Sequence, residues 1–314
     1  GTGSPTVSVG TSSKIINAKV VNTSTTAGRA AVILGSNALA LHCELVSYRG
    51  PAGFSSSNNS AIVYSFLHDS DKGFTTSVTT QSITLLGNII ANNVTAAIAT
   101  SAAMSGRFNI IGNTLYGAEN KLGIGVSLAT GTTNVWLLNN VLAGFVTGVS
   151  HADVQNVGVD NYNAYYNNTT DVSNWVNGLH DSVLNPTFTS VAQITVTTAS
   201  VSGSVVTKTG AFGTVVPGRD YFHLLSGTGA TAGIYGITAA DANTVTLDIA
   251  PGGSGSDIAA QITTGRNYAI GANLKALGFP GVFSGGLSTG YMDIGAVQRQ
   301  EAGGGGQTAI GFVQ

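Results

Sequence analysis

The sequence predicts an all-β protein, a parallel β-solenoid carrying one small antiparallel β-module. Three observations lead there. A short unit of aliphatic residues around a small polar one recurs every 22 to 27 residues along the first half of the chain. A later stretch, residues 192–264, breaks that period and alternates apolar and polar residues between Gly, Pro and Asp turns. The composition is that of tight corners: 43 of 314 residues are Gly and 8% are charged, against about 25% in an ordinary soluble domain.

The same figures exclude several classes. Twelve Lys and Arg spread over 314 positions make no electrostatic footprint for nucleic acid. A hydrophobic fraction of 43% with a net charge of −2 is not that of a disordered chain. No run approaches the ~18 consecutive apolar residues of a membrane helix, and no stretch sustains a helical period.

The repeat comes first along the chain. Its units are Leu41-His-Cys43-Glu-Leu45, Val63-Tyr-Ser65-Phe-Leu67, Leu86-Gly-Asn88-Ile-Ile90, Ile111-Gly-Asn113-Thr-Leu115, Leu138-Asn-Asn140-Val-Leu142 and Asn161-Tyr-Asn163-Ala-Tyr165. Their central positions, 43, 65, 88, 113, 140 and 163, are 22, 23, 25, 27 and 23 residues apart. One period holds several strands too short to bury their apolar faces alone, so stacking at ~4.8 Å must close the interior. Asn at one place per coil predicts a ladder of side-chain amides running from coil to coil. Cys43 is the one cysteine and is expected to be a buried small apolar residue; its neighbour His42 points to the other strand face.

With those motifs in view, the chain resembles the right-handed parallel β-helix proteins of the pectate-lyase-like superfamily, of the kind found in bacterial surface and bacteriophage structural proteins. The residues that carry the likeness are Val159-Asp-Asn-Tyr-Asn-Ala-Tyr-Tyr-Asn-Asn168, Gly178-Leu-His-Asp181, Asn185-Pro-Thr-Phe188, Asn267-Tyr-Ala-Ile-Gly271 and Met292-Asp-Ile-Gly-Ala-Val297. It covers roughly residues 12–190 and 263–298. It implies a right-handed solenoid and leaves function open, since lyases, hydrolases, adhesins and phage tail proteins share the fold.

The expected organisation is therefore coils over 1–191, an inserted β-module over 192–264, closing strands and a loop over 265–300, and a Gly-rich hinge with an apolar tail over 301–314. Five strands are expected in the module: Ile194–Thr198, Ser204–Thr207, Tyr221–Leu225, Gly233–Ile237 and Thr244–Asp248. Gly278 to Gly286 reads as a loop packed by Phe279 and Phe283. Gly1 in place of an initiator Met reads as a processed product or a fragment.

Chemistry is sparse. The acids of the coils, Asp69, Asp71, Glu119, Asp153, Asp160, Asp171 and Asp181, fall at different phases of the repeat. No catalytic residue is assigned. His68-Asp-Ser-Asp-Lys-Gly73 has a D-x-D-x-G core in which Asp69 and Asp71 would offer Ca²⁺ two carboxylates; the competing reading is a solvated corner whose aspartates bond backbone amides. No other cofactor is expected. Asp160 is expected to cap a turn, and His151 with Asp153 and His180 with Asp181 are expected in turns. His223 is expected packed or at the surface. Tyr162, Tyr165 and Tyr166 would suit a pyranose ring, although alternation places Tyr165 and Tyr166 on opposite faces, so at least one is core. Ile310, Phe312 and Val313 in the tail would add a strand to a neighbouring subunit.

The expected function is a non-enzymatic extracellular or virion surface protein, a fibre or appendage subunit or an adhesin, self-associating through that tail, with a glycan as a further partner and neither nucleic acid nor membrane insertion. The alternatives are a polysaccharide lyase or glycoside hydrolase, and a non-catalytic carbohydrate-binding protein.

Overall fold

A computed structural model describes residues 7–80, 82–118, 121–153, 158–278 and 292–297. The repeat closes into a parallel β-solenoid of seven turns with three strands per turn. The first sheet stacks eight strands, from Val7–Val9 through Lys72–Thr76 to Thr170–Ser173. The second stacks seven, from Lys14–Ile16 to Val159–Asn161, and the third stacks seven, from Lys19–Asn22 to Ala164–Tyr166. Every pairing is parallel and in step with the repeat: Ile89 faces Phe66 on one side and Thr114 on the other.

The corner between the second and third sheets shows why the motif looks as it does. The residue before each central position sits in the left-handed region: His42 (φ 52°), Tyr64 (49°), Gly87 (64°), Gly112 (61°), Asn139 (60°) and Tyr162 (57°). The central residue then turns inward and joins the expected ladder. Ser65 N donates to Asn88 Oδ1 (2.9 Å), and both nitrogens of Asn88 donate to Asn113 Oδ1 (2.9 and 3.0 Å). Asn113 treats Asn140 Oδ1 the same way, and Asn140 treats Asn163 Oδ1 likewise. Asn163 N finally donates to Asp181 Oδ1 at 2.8 Å. Cys43 is fully buried at the start of the ladder, where its N–H donates to Ser65 Oγ.

The inner strands of the second sheet alternate buried and half-exposed residues, as one covered face requires. Four consecutive strands of the third sheet, from Phe66–His68 to Val141–Ala143, are buried at every position. Their outer face is covered: Tyr268, Ile270, Leu274 and Ile294 pack on Phe66, Ile89, Tyr116 and Val141. The two closing motifs seen in the sequence thus lie on the solenoid's flank. Among the described residues after Asn267 they are irregular chain with one 3-10 turn, Ala272–Leu274, where strands were expected.

The inserted module is a closed antiparallel barrel of six strands, in the order Ser190–Ser202, Val205–Thr207, Thr244–Leu247, Gly233–Ala240, Tyr221–Ser226 and Ile258–Asn267. The sixth, Ile258–Asn267, escaped the sequence reading and runs past position 264. It closes the barrel on the first strand through pairs such as Ile194–Ile262. Its residues 260–264 are buried without alternation because one face fills the barrel and the other meets the solenoid, which erases the period-2 signal. Phe212, Phe222, Tyr235 and Val245 fill the barrel's own core.

Candidate functional site

Two places concentrate polar chemistry. The first is the junction between barrel and solenoid. A second column of left-handed corner residues ends the third sheet: Asp69 (φ 47°), Asn92 (56°), Ala118 (74°), Gly144 (76°) and Asn167 (53°). Asp69 is therefore a corner residue, as one reading of the sequence had it, but the corner is not solvated. The barrel covers it, leaving Asp69 1% exposed. His223 Nε2 lies 2.7 Å from Asp69 Oδ1, and His68 Nδ1 lies 2.6 Å from Oδ2. Arg266 Nη2 makes an ion pair with Oδ2 at 3.0 Å, off the line of an aligned hydrogen bond. Burial alone would raise the Asp69 carboxyl. The Arg266 guanidinium and the hydrogen bonds from the two histidines override it and hold the group well below the usual carboxylate range.

Around this centre His68 Nε2 faces Glu44 Oε1 at 3.2 Å, and Lys19 holds the same oxygen at 2.9 Å. Burial would raise Glu44 too, but His68 and Lys19 bring it down to about 2. Tyr48 donates to Asp248 Oδ2 (2.6 Å) and Arg49 to Tyr235 Oη (2.7 Å), pinning the barrel at two further points.

Asp71 goes elsewhere. It accepts from Thr95 Oγ1 and lies 3.3 Å from Lys72 Nζ near the surface. Asp69 has both oxygens committed to His68, His223 and Arg266, a donor set that does not fit a Ca²⁺ cradle shared with Asp71. Among the described residues no group of three or more His, Cys, Asp or Glu side chains is arranged to hold a metal ion.

The second place is a groove of about 450 Å³ on the third sheet's flank, where residues 185–191 fold back over the coils. Tyr116, Ala143, Gly144 and Tyr166 line one side and Asn185 and Phe188 the other. Asn185 Nδ2 donates to Tyr166 Oη at 2.9 Å, and Tyr116 meets Phe188 edge-on at 5.6 Å. No charged residue is among those lining it.

The three tyrosines separate. Tyr166 reaches the groove. Tyr165 is 1% exposed in the solenoid core, its hydroxyl donating to Asp160 Oδ2. Tyr162 occupies the other corner and stacks flat on His180, with centroids 4.6 Å apart. His151 is buried and bonded to the Thr132 carbonyl, while Asp153 accepts from Gly131 N. Phe279, Phe283, Glu119, Ile310, Phe312 and Val313 lie outside the described residues.

The last coil holds a feature the sequence did not flag. Asn163 Nδ2 lies within 3.5 Å of a carboxylate oxygen of both Asp160 and Asp181. Burial, then the charge of Asp181 beside it, push Asp160 up to about 8, although Tyr165 and Trp175 donate to it. Trp175 packs over the end of the solenoid core and stacks on His151.

The fold and these sites define a parallel β-solenoid protein with an inserted β-barrel. No family model matches the sequence, and no curated protein does. Among solved structures, a double mutant of the tailspike protein of E. coli bacteriophage HK620 is similar at 10% identity, with a TM-score of 0.29, covering 82% of this chain and 66% of that one. The tailspike protein gp49 of Pseudomonas phage LKA1 is similar at 13% identity, with a TM-score of 0.26, covering 85% and 63%. A mutant of the HK620 tailspike in complex with a pentasaccharide is similar at 9% identity and a TM-score of 0.18, covering 82% and 69%. The chain thus spans just under two thirds of the first two. No helix among the described residues is long and apolar enough to cross a membrane.

Proposed function

We propose that this chain is a non-enzymatic surface protein, a fibre or appendage subunit or an adhesin displayed on a virion or cell surface, and that it self-associates. One observation carries the reading: every carboxylate among the described residues is committed to the fold. Glu44 and Asp69 hold the barrel junction, and Asp220 pairs with Arg219. Asp71, Asp160 and Asp248 accept from side-chain hydroxyls, Asp171 from Asn168, and Asp153, Asp181, Asp241, Asp257 and Asp293 from backbone amides. Acids used as corner and junction bonds are not poised over an open cleft.

The groove beside Tyr166 supports a glycan as the contacted partner, since an aromatic wall with amide groups suits a sugar's apolar face and hydroxyls. A glycan array read with the intact chain and with Tyr166→Ala tests this. Binding that drops in the variant is expected; an array without signal overturns the glycan contact.

The alternative, a polysaccharide lyase or glycoside hydrolase, draws support from the raised Asp160 beside Asp181, since a carboxyl held protonated near neutral pH is a usable general acid. Assays for new reducing ends and for unsaturated products decide it. Cleavage abolished by Asp160→Asn would overturn the non-enzymatic reading.

A further inference from the structure

The three outer faces of the solenoid differ. The third sheet is covered by the closing motifs, and the first turns outward a row containing Thr75, Ser127, Ser150 and Ser173. The second sheet is apolar instead. Its pairings align Ile16, Leu41, Val63, Leu86, Ile111 and Leu138 in one outward row over six coils, each of them half-exposed or exposed. A parallel row, two residues earlier on each strand, includes Leu39, Ala61 and Trp136. No cluster of buried residues forms over these rows among the described residues. Apolar side chains grouped this way on a surface mark a contact.

Charge is nearly absent from this face. The seven strands of the sheet carry only Lys14, at the first coil, and Asp160, which points inward to Tyr165 and Trp175. The polar pair in the middle is bonded to itself, Asn109 Nδ2 donating to Thr84 Oγ1 at 3.1 Å. Arg107 flanks the face with its guanidinium 4.5 Å above the Trp136 ring. Seven strands at about 4.8 Å make the face about 34 Å long, and four strand residues with one corner residue on either side make it about 20 Å wide. That is about 700 Å² per chain and about 1,400 Å² for a pair, inside the range of about 1,200–2,000 Å² buried in a stable interface.

We infer that the outer face of the second sheet packs on the same face of a second copy of this chain, sheet on sheet. Its rows recur at strand spacing, a corrugation that interdigitates with a sheet of equal spacing. Without acids and without a central cation the face has no charge pattern that selects a different partner, and it is complementary to itself. A two-fold axis along the middle strand, Ile83–Leu86, overlaps the whole face and sets the two Lys14 side chains at opposite ends. The contact is isologous, so it closes as a dimer. The inference rests on the self-association proposed above and moves its site from the C-terminal tail to the second sheet.

The experiment is light scattering after size exclusion over a range of concentrations, on the intact chain and on Leu86→Lys and Ile111→Glu. Both side chains are half-exposed on the outer face, and circular dichroism checks that the fold is kept. A second readout is disulfide cross-linking of Thr84→Cys, with Ser150→Cys on the first sheet as control. Cys43 is fully buried, so the introduced thiol is the reactive one. We expect a dimer, association at least about tenfold weaker in each charged variant, and a covalent dimer from Thr84→Cys but not from Ser150→Cys. A chain that stays monomeric at every concentration overturns both the inference and the self-association. Oligomers that withstand both charged variants, that leave Thr84→Cys uncoupled, or that vanish only when residues 302–314 are deleted overturn the inference alone.

Discussion

Asp69 and His223 are 154 residues apart in sequence, and their side chains are 2.7 Å apart at the junction of solenoid and barrel. One is a corner residue of a coil, the other lies mid-strand in the barrel. Through that bond and the Arg266 ion pair, the insertion is bonded to the coils rather than merely tethered to them. Removing one member of a buried ion pair leaves the other uncompensated and costs about 3 to 5 kcal/mol. Asp69→Asn or Arg266→Met should therefore lower the denaturant midpoint clearly. A midpoint within error of the parent would show that the junction contributes nothing to the fold.

Acid and base should act on opposite ends of the molecule. Asp69 and Glu44 lie below their unfolded values, so the stability they contribute is present above about pH 4 and is lost as pH falls toward the folded values, about 2 for Glu44. Asp160 lies above its unfolded value, at about 8. The native state then binds the extra proton, so its contribution is complete below about pH 4 and disappears as pH rises through 8. Asp160→Asn should remove that alkaline-side loss and leave the acid limb unchanged. Urea midpoints between pH 3 and 9 in both proteins measure it, and parallel curves would refute the assignment.

The amide ladder should be sensitive at its middle. Asn113 accepts from both nitrogens of Asn88 and donates to Asn140 and to the Leu85 carbonyl, all in the buried interior. Asn113→Ala strands several of these groups, at about 1 to 3 kcal/mol for each one left unsatisfied. A loss of about 3 kcal/mol or more is expected by thermal or urea unfolding. A loss below 1 kcal/mol would mean the ladder is decorative.

Gly73, the last residue of the D-x-D-x-G motif, is there for packing. A Cβ at this position would stand 2.2 Å from Ile90 Cγ2 and 2.6 Å from the Ala97 carbonyl oxygen. Gly73→Ala should destabilise by about 1 to 3 kcal/mol through overpacking. Gly213→Ala, where a Cβ meets nothing within 4 Å, is the matched control and should be near neutral. Equal melting temperatures for the two would rule out steric need at Gly73.

Much of this was readable in the residues because a stacked coil repeats one local problem. Positions 65, 88, 113, 140 and 163 each present a small polar side chain, one Ser and four Asn, at the same corner, so spacing alone exposed the ladder. His68-Asp69 misled for the opposite reason. Its corner geometry is local and was legible, but its burial is imposed by His223 and Arg266, which belong to the insertion. The strand Ile258–Asn267 was hidden because both of its faces are covered. Tyr166 could be proposed as a contact residue, whereas the wall opposite it, Asn185 and Phe188, is placed only by the chain folding back.

The sequence by itself determined the solenoid and the amide ladder, since each follows from contacts between residues one coil apart. The three strands of each turn, the barrel's closure, its bonded seat on the third sheet and the groove beside Tyr166 were decided only by tertiary structure. Those features depend on groups about 20 to 200 residues apart, where burial and charge pairing set the outcome and no local period records them.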